Sequence, residues 1–264
     1  LTEPTRPTGV REKSRITAER RTVSLFGLNI DQLTMDETVD RIDHLIASGG
    51  IHQHVSINVS KVVQAEHDPS LRAVIEACDV VNADGQPIIW AARLLGVSLR
   101  ERVTGIDLMT RLIERAAERG YRLYLLGARR EVVEAVAERI GREHPTAVIA
   151  GWRDGYWQAD EEPTIVASIA EARPDILFVA MGSPRKEQFL ARWKATIGVP
   201  FVMGVGGSFD VYAGVISRAP NWMRRVGLEW LYRVYQEPRR MWRRYLGDAP
   251  QFAWLLLRAR LRRV

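Results

Sequence analysis

Residues 122–150, RLYLLGARREVVEAVAERIGREHPTAVIA, read as a strand (Arg122–Leu126), a glycine at 127 that opens a helix (Glu131–Glu143), and a second strand (Ala147–Ala150). The rhythm continues downstream. Pro163–Ala172 reads as a helix, Ile176–Met181 as a strand, Lys186–Ile197 as a helix, and Pro200–Val205 as a strand running into Gly204-Val-Gly-Gly-Ser. Upstream, Val23–Leu28, His54–Asn58 and Val80–Asn82 read as strands. Asp36–Ser48, Pro69–Cys78 and Thr110–Arg119 read as helices, the first with a carboxylate-rich opening turn that suits a helix N-terminus. Strands alternating with helices of about ten residues predict an α/β fold, a mostly parallel sheet with helices on both faces.

In such a sheet, ligands sit beyond the carboxyl ends of the strands, as in Rossmann-like folds. The polar clusters fall at those ends: Ser56 and Asn58, Asp84, Ser183–Lys186, and Gly206–Asp210. Asp84, in Ala-Asp-Gly between a strand and a helical run near Pro87, can take a proton from a hydroxyl nucleophile; from spacing alone it reads first as a turn or cap residue. Gly204–Ser208 can bring backbone N–H groups to a phosphate, or can simply be a tight strand-to-helix turn. It matches neither GxGxxG nor a P-loop. Arg185 and Lys186 stand at a helix start, where cations oppose the dipole, which favours a role in meeting a diphosphate. There is no Asp-x-Asp, the five histidines show no ligand spacing beyond His52 and His54, and no GxSxG occurs. No metal and no cofactor are expected.

With 264 residues, 46% hydrophobic and 27% charged, the chain suits one large domain, or one domain plus an appendage. The lone Cys78 excludes an intramolecular disulfide and fits a reducing compartment. Residues 1–22 hold no apolar run, so they read as a mobile arm without a signal peptide, and no stretch reaches the ~20 apolar residues of a membrane span. The charge is unevenly placed. Residues 218–264 hold twelve arginines against three acidic residues, while residues 1–217 sum to −3. Four of the eight tryptophans also lie there, at 222, 230, 242 and 254. Arginine mixed with tryptophan and tyrosine is the composition of a membrane-interface element. The tail reads as two helical pieces over 222–246, broken at Pro238, and a final apolar-then-basic segment, Phe252–Arg263. The expected organisation is an arm (1–22), a core (23–217) and a basic, aromatic helical appendage (218–264).

The pieces SINVSKVV, NADGQPIIWAARLLG, ERVTGIDL, YLLGA, GYW, MGSPRKEQF, GVGGSFDVYAG and RAPNWMRRVGLEWLYRVYQEPRRMWRRYL resemble the bacterial WecG/TagA/CpsF glycosyltransferases, over about Val23–Leu246. The resemblance implies inverting, metal-free transfer of a sugar (N-acetylmannosamine, its uronic acid or glucose) from a UDP-sugar to a polyprenyl-diphosphate-linked saccharide in surface polysaccharide assembly. It implies that Asp84 is the general base, that Asn58 lies beside the reacting sugar, and that Ser56 stands where members commonly have Thr. It implies an active-site cation at Arg102 and nucleotide contacts at Tyr156 and Asp210. Members usually carry an amide where this chain has Lys186, and often Ala at Gly207. Arg233, Arg240 and Arg243 match arginines that the family's membrane-docking appendage supplies to the active site. The implied place is cytoplasmic, on the inner face of the cell membrane, against anionic lipid; an exposed apolar tail also allows a homo-oligomer. Two other readings of the residues are a nucleic-acid binder using the Arg/Trp tail and a nicotinamide-dependent oxidoreductase, the latter disfavoured by the missing GxGxxG.

Overall fold

The computed structural model describes residues 20–225 and 227–262, so the expected arm lies outside the described residues except for its last three. Six strands form one parallel sheet: β3 (His52–Ile57), β4 (Val80–Ala83), β5 (Arg122–Gly127), β6 (Val148–Arg153), β7 (Ile176–Ala180) and β8 (Phe201–Gly204). Their order is β4-β3-β8-β7-β5-β6. The first and last strands of the sheet in sequence are thus central neighbours, and the chain leaves β3 towards one edge of the sheet. Their carboxyl ends flank the crevice that such topology leaves for a ligand.

Alternation along the strands explains the two helical layers. Leu123, Leu125, Ile176, Phe178, Phe201 and Met203 face one way. They pack against α1 (Met35–Ser48), α5 (Gly105–Arg119), α6 (Arg130–Glu143) and α9 (Ser208–Tyr212). On the other face, Tyr124, Leu126, Leu177, Val179 and Val202 meet α7 (Glu162–Ala172) and α8 (Arg185–Ile197). Val55, Ile57, Val81 and Ala83 there meet α2 (Val59–His67), α3 (Pro69–Glu76) and α4 (Gln86–Leu94). Each large apolar side chain so buried contributes about 1.5–3 kcal/mol, which is what holds both layers on the sheet. His54 and Asn82 are polar exceptions, joined at 3.1 Å, with Asn82 also donating to Thr38 of α1. Burial pushes His54 down to about 3, so it is a neutral core residue.

Two expectations need correction. Val23–Leu28 is not one strand: β1 (Thr22–Leu25) turns at Phe26-Gly27 and returns as β2 (Leu28–Asp31), an antiparallel hairpin outside the main sheet. Both turn residues have positive φ, 54° and 73°, which matches the twist of the flanking strands. Asp31 then locks the hairpin to the sheet, accepting from Val81 N at 2.6 Å and pairing with Arg20 at 2.8 Å. The second correction concerns the tail. After α10 (Asn221–Arg225) and α11 (Glu229–Gln236), Pro238 opens a helix as expected. That helix, α12 (Pro238–Leu261), then runs through Pro250 into the segment expected to be separate. Proline removes one N–H there, yet packing beyond it holds the helix. Phe252 is buried with its ring 5.2 Å from Phe26, Gln251 meets His67 at 2.9 Å, and Arg258 meets Glu66 at 3.1 Å. Among the described residues no helix is long and apolar enough to cross a membrane.

Candidate active site

Three strand ends deliver the polar residues to one place. Beyond β3, Asn58 caps α2, its Oδ1 accepting from Lys61 N at 3.0 Å. Two residues earlier, the Ser56 hydroxyl is buried and makes no hydrogen bond within the protein. Beyond β4, Asp84 N donates to Ile57 O at 2.8 Å, which pins the aspartate against the end of β3. Its Oδ2 accepts a long hydrogen bond, 3.4 Å, from Gly105 N in the first turn of α5. Gly105 stands next to both groups: a Cβ there would be in ordinary contact with Ser56 Oγ at 3.5 Å and Asp84 Oδ2 at 3.8 Å.

The third end is β8, followed by Val205, Gly206 and Gly207 before α9. Gly206 adopts φ 52°, and a Cβ on Gly204 would sit 2.7 Å from Cε of Lys186. The lysine stem therefore lies across the end of β8 in space that only glycine leaves. Its ammonium meets Glu187 Oε1 at 3.1 Å, and Lys61 Nζ meets the same oxygen at 2.9 Å. All three side chains are buried. Burial, followed by repulsion from Lys61, pulls the Lys186 ammonium down to about 8. Burial works against the charge of Glu187, but the two lysines outweigh it and hold that carboxyl at about 2. Gly204→Ala is therefore expected to push Lys186 off Glu187, costing about 1–3 kcal/mol of stability in a denaturant titration; an unchanged midpoint would mean that the lysine stem does not need this space.

The tail closes the other side. Gly227 packs so tightly over α4 that a Cβ would lie 2.4 Å from Gln86 Cγ. Arg218 pairs with Asp107 at 2.7 Å; burial raises the Asp107 carboxyl, but hydrogen bonds from Arg218 and Thr104, with the nearby arginine charges, outweigh it and lower that carboxyl overall. Glu229 of α11 lies 3.6 Å from Arg102 Nη1. The cavity between tail and strand ends is open to solvent on one side and measures about 580 Å³, the size of a small-molecule site. Ser56, Asn58, Asp84, Arg102, Lys186, Gly206 and Gly207 all line it.

The other expected residues stand elsewhere. Tyr156 is 69% exposed and outside the lining. Arg185 turns away, donating to Gly155 O at 2.9 Å and stacking 4.8 Å from the ring of Trp157. Asp210 is also outside the lining, although its Oδ2 would lie 3.8 Å from a Cβ on Gly207. Arg233 is in α11 and Arg240 and Arg243 are in α12, with side chains outside the described residues. Lys61, Gln64, Thr104, Gln86, Glu229 and Asp248 line the cavity without having been singled out in the sequence. A signal existed for Lys61, three residues after Asn58 in the first turn of a capped helix. Nothing local marked Glu229 as Arg102's partner. Among the described residues, no group of three or more His, Cys, Asp or Glu side chains is placed to hold a metal ion.

The profile of the glycosyl transferase WecG/TagA/CpsF family matches residues 23–264. The chain belongs to this family. It is therefore a glycosyltransferase, and the cavity at the strand ends is its candidate active site. Two relatives carry the same name, N-acetylglucosaminyldiphosphoundecaprenol N-acetyl-beta-D-mannosaminyltransferase. The one from Bacillus spizizenii is 34% identical over 204 residues, 77% of this chain and 78% of the relative. The one from Bacillus subtilis is 35% identical over the same shares.

Proposed function

We propose that this glycosyltransferase moves a sugar, N-acetylmannosamine, its uronic acid or glucose, from a UDP-sugar to a saccharide on a polyprenyl diphosphate, with inversion and without a metal. The observation that carries this reading is a carboxylate, Asp84, and a cation, Lys186, brought to one cavity from different strand ends. The acceptor named for both relatives, a diphosphoundecaprenol-linked N-acetylglucosamine, supports the lipid-linked class. In this reading Asp84 takes the proton of the acceptor hydroxyl as its oxygen bonds to C1 of the sugar from the face opposite UDP. The C1–O bond to UDP breaks, its electron pair stays on the β-phosphate, and Lys186 meets the charge that develops there. Arg102 holds a second anionic group, exchanging its ion pair with Glu229 for the substrate. Ser56 and Asn58 hydrogen-bond the sugar, and Gly206 and Gly207 let it approach the backbone. Tyr156, Arg185 and Asp210 stand outside the cavity lining, and a nucleotide contact by them requires that the uridine extend beyond it.

A screen of UDP-sugars with a short-chain lipid-diphosphate acceptor, with the anomeric configuration of the product read by NMR, tests the reading directly. A retained configuration, or no transfer from any UDP-sugar, would sink it. The tail is proposed to bring the enzyme to anionic lipid at the inner face of the membrane, with Arg233, Arg240 and Arg243 at the acceptor diphosphate. Deleting the tail is an unsuitable test, because Phe252 is part of the core. Changing Arg239, Arg240, Arg243 and Arg244 together to glutamine is expected to cost about 1 kcal/mol per residue in binding to anionic vesicles, roughly a thousandfold in all. Co-sedimentation that is unchanged by the four substitutions would remove the lipid role of these arginines.

A further inference from the structure

We infer that Lys61 and Lys186 together form the subsite for the β-phosphate of the UDP leaving group, with Glu187 as the positioning residue behind them. This rests on the donor reading above and adds a second cation and its support.

The geometry is one carboxylate oxygen between two ammonium groups, at 2.9 and 3.1 Å. Both lysines line the cavity, whereas Glu187 does not. Glu187 is the backing and the lysines are the surface. Two positive charges share one negative charge, so the inner wall carries a surplus of one positive charge in a place where water screens little. A buried surplus of that kind calls for an anion in contact with it. Glu187 Oε2 is buried without a hydrogen bond, so the carboxylate reaches the lysines through one oxygen only and neutralises neither fully. The stem of Lys186 is held in the gap above Gly204, which fixes where its ammonium can go.

Charge balance during transfer fits this surplus. As the C1–O bond breaks, the β-phosphate gains one negative charge, while the proton of the acceptor hydroxyl passes to Asp84. Near neutral pH the surplus of one positive charge meets the negative charge that appears, which is the arrangement that favours the transition state over the bound donor. The charged groups nearest Lys186 are Lys61 on α2 and Glu187 on its own helix; the other ionisable groups lining the cavity are Asp84, Arg102, Glu229 and Asp248. The end of β8 and the loop before α8 contribute none to that lining. With its ammonium held at about 8 by burial and by Lys61, Lys186 is mostly neutral at pH 8.5, and an arriving phosphate recharges it. Leaving-group binding is then coupled to proton uptake.

The test is calorimetry of UDP and UMP at pH 8.5 on the full chain and on Lys61→Gln and Lys186→Gln. Each variant leaves Glu187 one cation, so folding is retained, and UMP binding together with a melting curve verifies it. We expect each variant to lose UDP affinity roughly ten- to hundredfold while UMP affinity changes less than about threefold. In the unsubstituted chain, UDP binding measured in buffers of different ionisation enthalpy takes up on the order of half a proton, an uptake that Lys186→Gln abolishes. A UDP-to-UMP affinity ratio unchanged in both variants overturns the subsite. So does an unchanged ratio with an altered choice between UDP-N-acetylmannosamine and its uronic acid, since the lysines would then read a sugar carboxylate. If neither nucleotide binds the unsubstituted chain, the donor reading falls and the subsite falls with it.

Discussion

Asp84→Asn lowers sugar transfer by a factor on the order of 10²–10⁴ and leaves UDP binding within a few-fold; that is the expected result of a paired kinetic and calorimetric measurement. The amide is the same size and keeps the backbone bond from residue 84 to Ile57 O, so the end of β4 stays where it is. What disappears is the ability to accept a proton. Asp84 lies beside Ser56 and Gly105, while the proposed phosphate contacts, Lys61 and Lys186, come from α2 and α8. Chemistry and leaving-group binding are therefore separable by substitution. Loss of UDP binding with transfer otherwise intact would take the base role away from Asp84.

Glu187→Gln is expected to be the most damaging single change to stability. Its carboxylate is the shared partner of two buried ammonium groups. Removing one side of a buried ion pair costs about 3–5 kcal/mol, because the remaining charge keeps its desolvation penalty. Lys186 can limit the loss by giving up its proton, so the lower end, about 3 kcal/mol, is expected. That corresponds to a fall of roughly 10 °C in melting temperature for a chain of this length. The pH dependence has a definite sign. Glu187 titrates near 4.5 when unfolded and at about 2 when folded, so its stabilising contribution is complete above about 4.5 and fades as the pH falls towards 2. The stability gap between the unsubstituted chain and Glu187→Gln should accordingly be widest near neutrality and close on acidification. A gap that is constant from pH 7 to 3 would show that the carboxylate's charge is not what stabilises.

The alternation of apolar runs and helices made the parallel sheet legible, because strands such as Arg122–Gly127 and Ile176–Ala180 are covered on both sides and have almost no polar residues to confuse the pattern. The rule that ligands sit at the carboxyl ends points to Ser56, Asn58, Asp84 and Lys186, all of which line the cavity. The hairpin was not legible, since its turn places Phe26, which is no turn former, at positive φ. Helix α2 was missed because its buried face includes Ser60 and Lys61, which break the apolar period. The segment Phe252–Arg263 reads as separate from the helix before it, because the continuity of α12 through Pro250 comes from contacts with α2, more than 180 residues earlier in the chain. The same limit hid the lysine pair. Lys61 and Glu187 are 126 residues apart, and neither has a neighbour in sequence that marks the other. Arg185 shows the complementary case: a cation at a helix start reads as a phosphate ligand, and here its guanidinium lies on the Trp157 indole and the Gly155 carbonyl, outside the cavity lining.

The contact between Phe26 and Phe252 bears on how the protein is made. The apolar face formed by Leu25, Leu28, Ile30 and the helices beneath them emerges early during synthesis, but its cover is more than 200 residues further along. That face stays open until Phe252 itself has been translated, so a nascent chain carries sticky surface for most of its elongation. A ribosome stalled early in the last helix, before Phe252, would leave a product with every strand of the sheet made and one side of it unsealed.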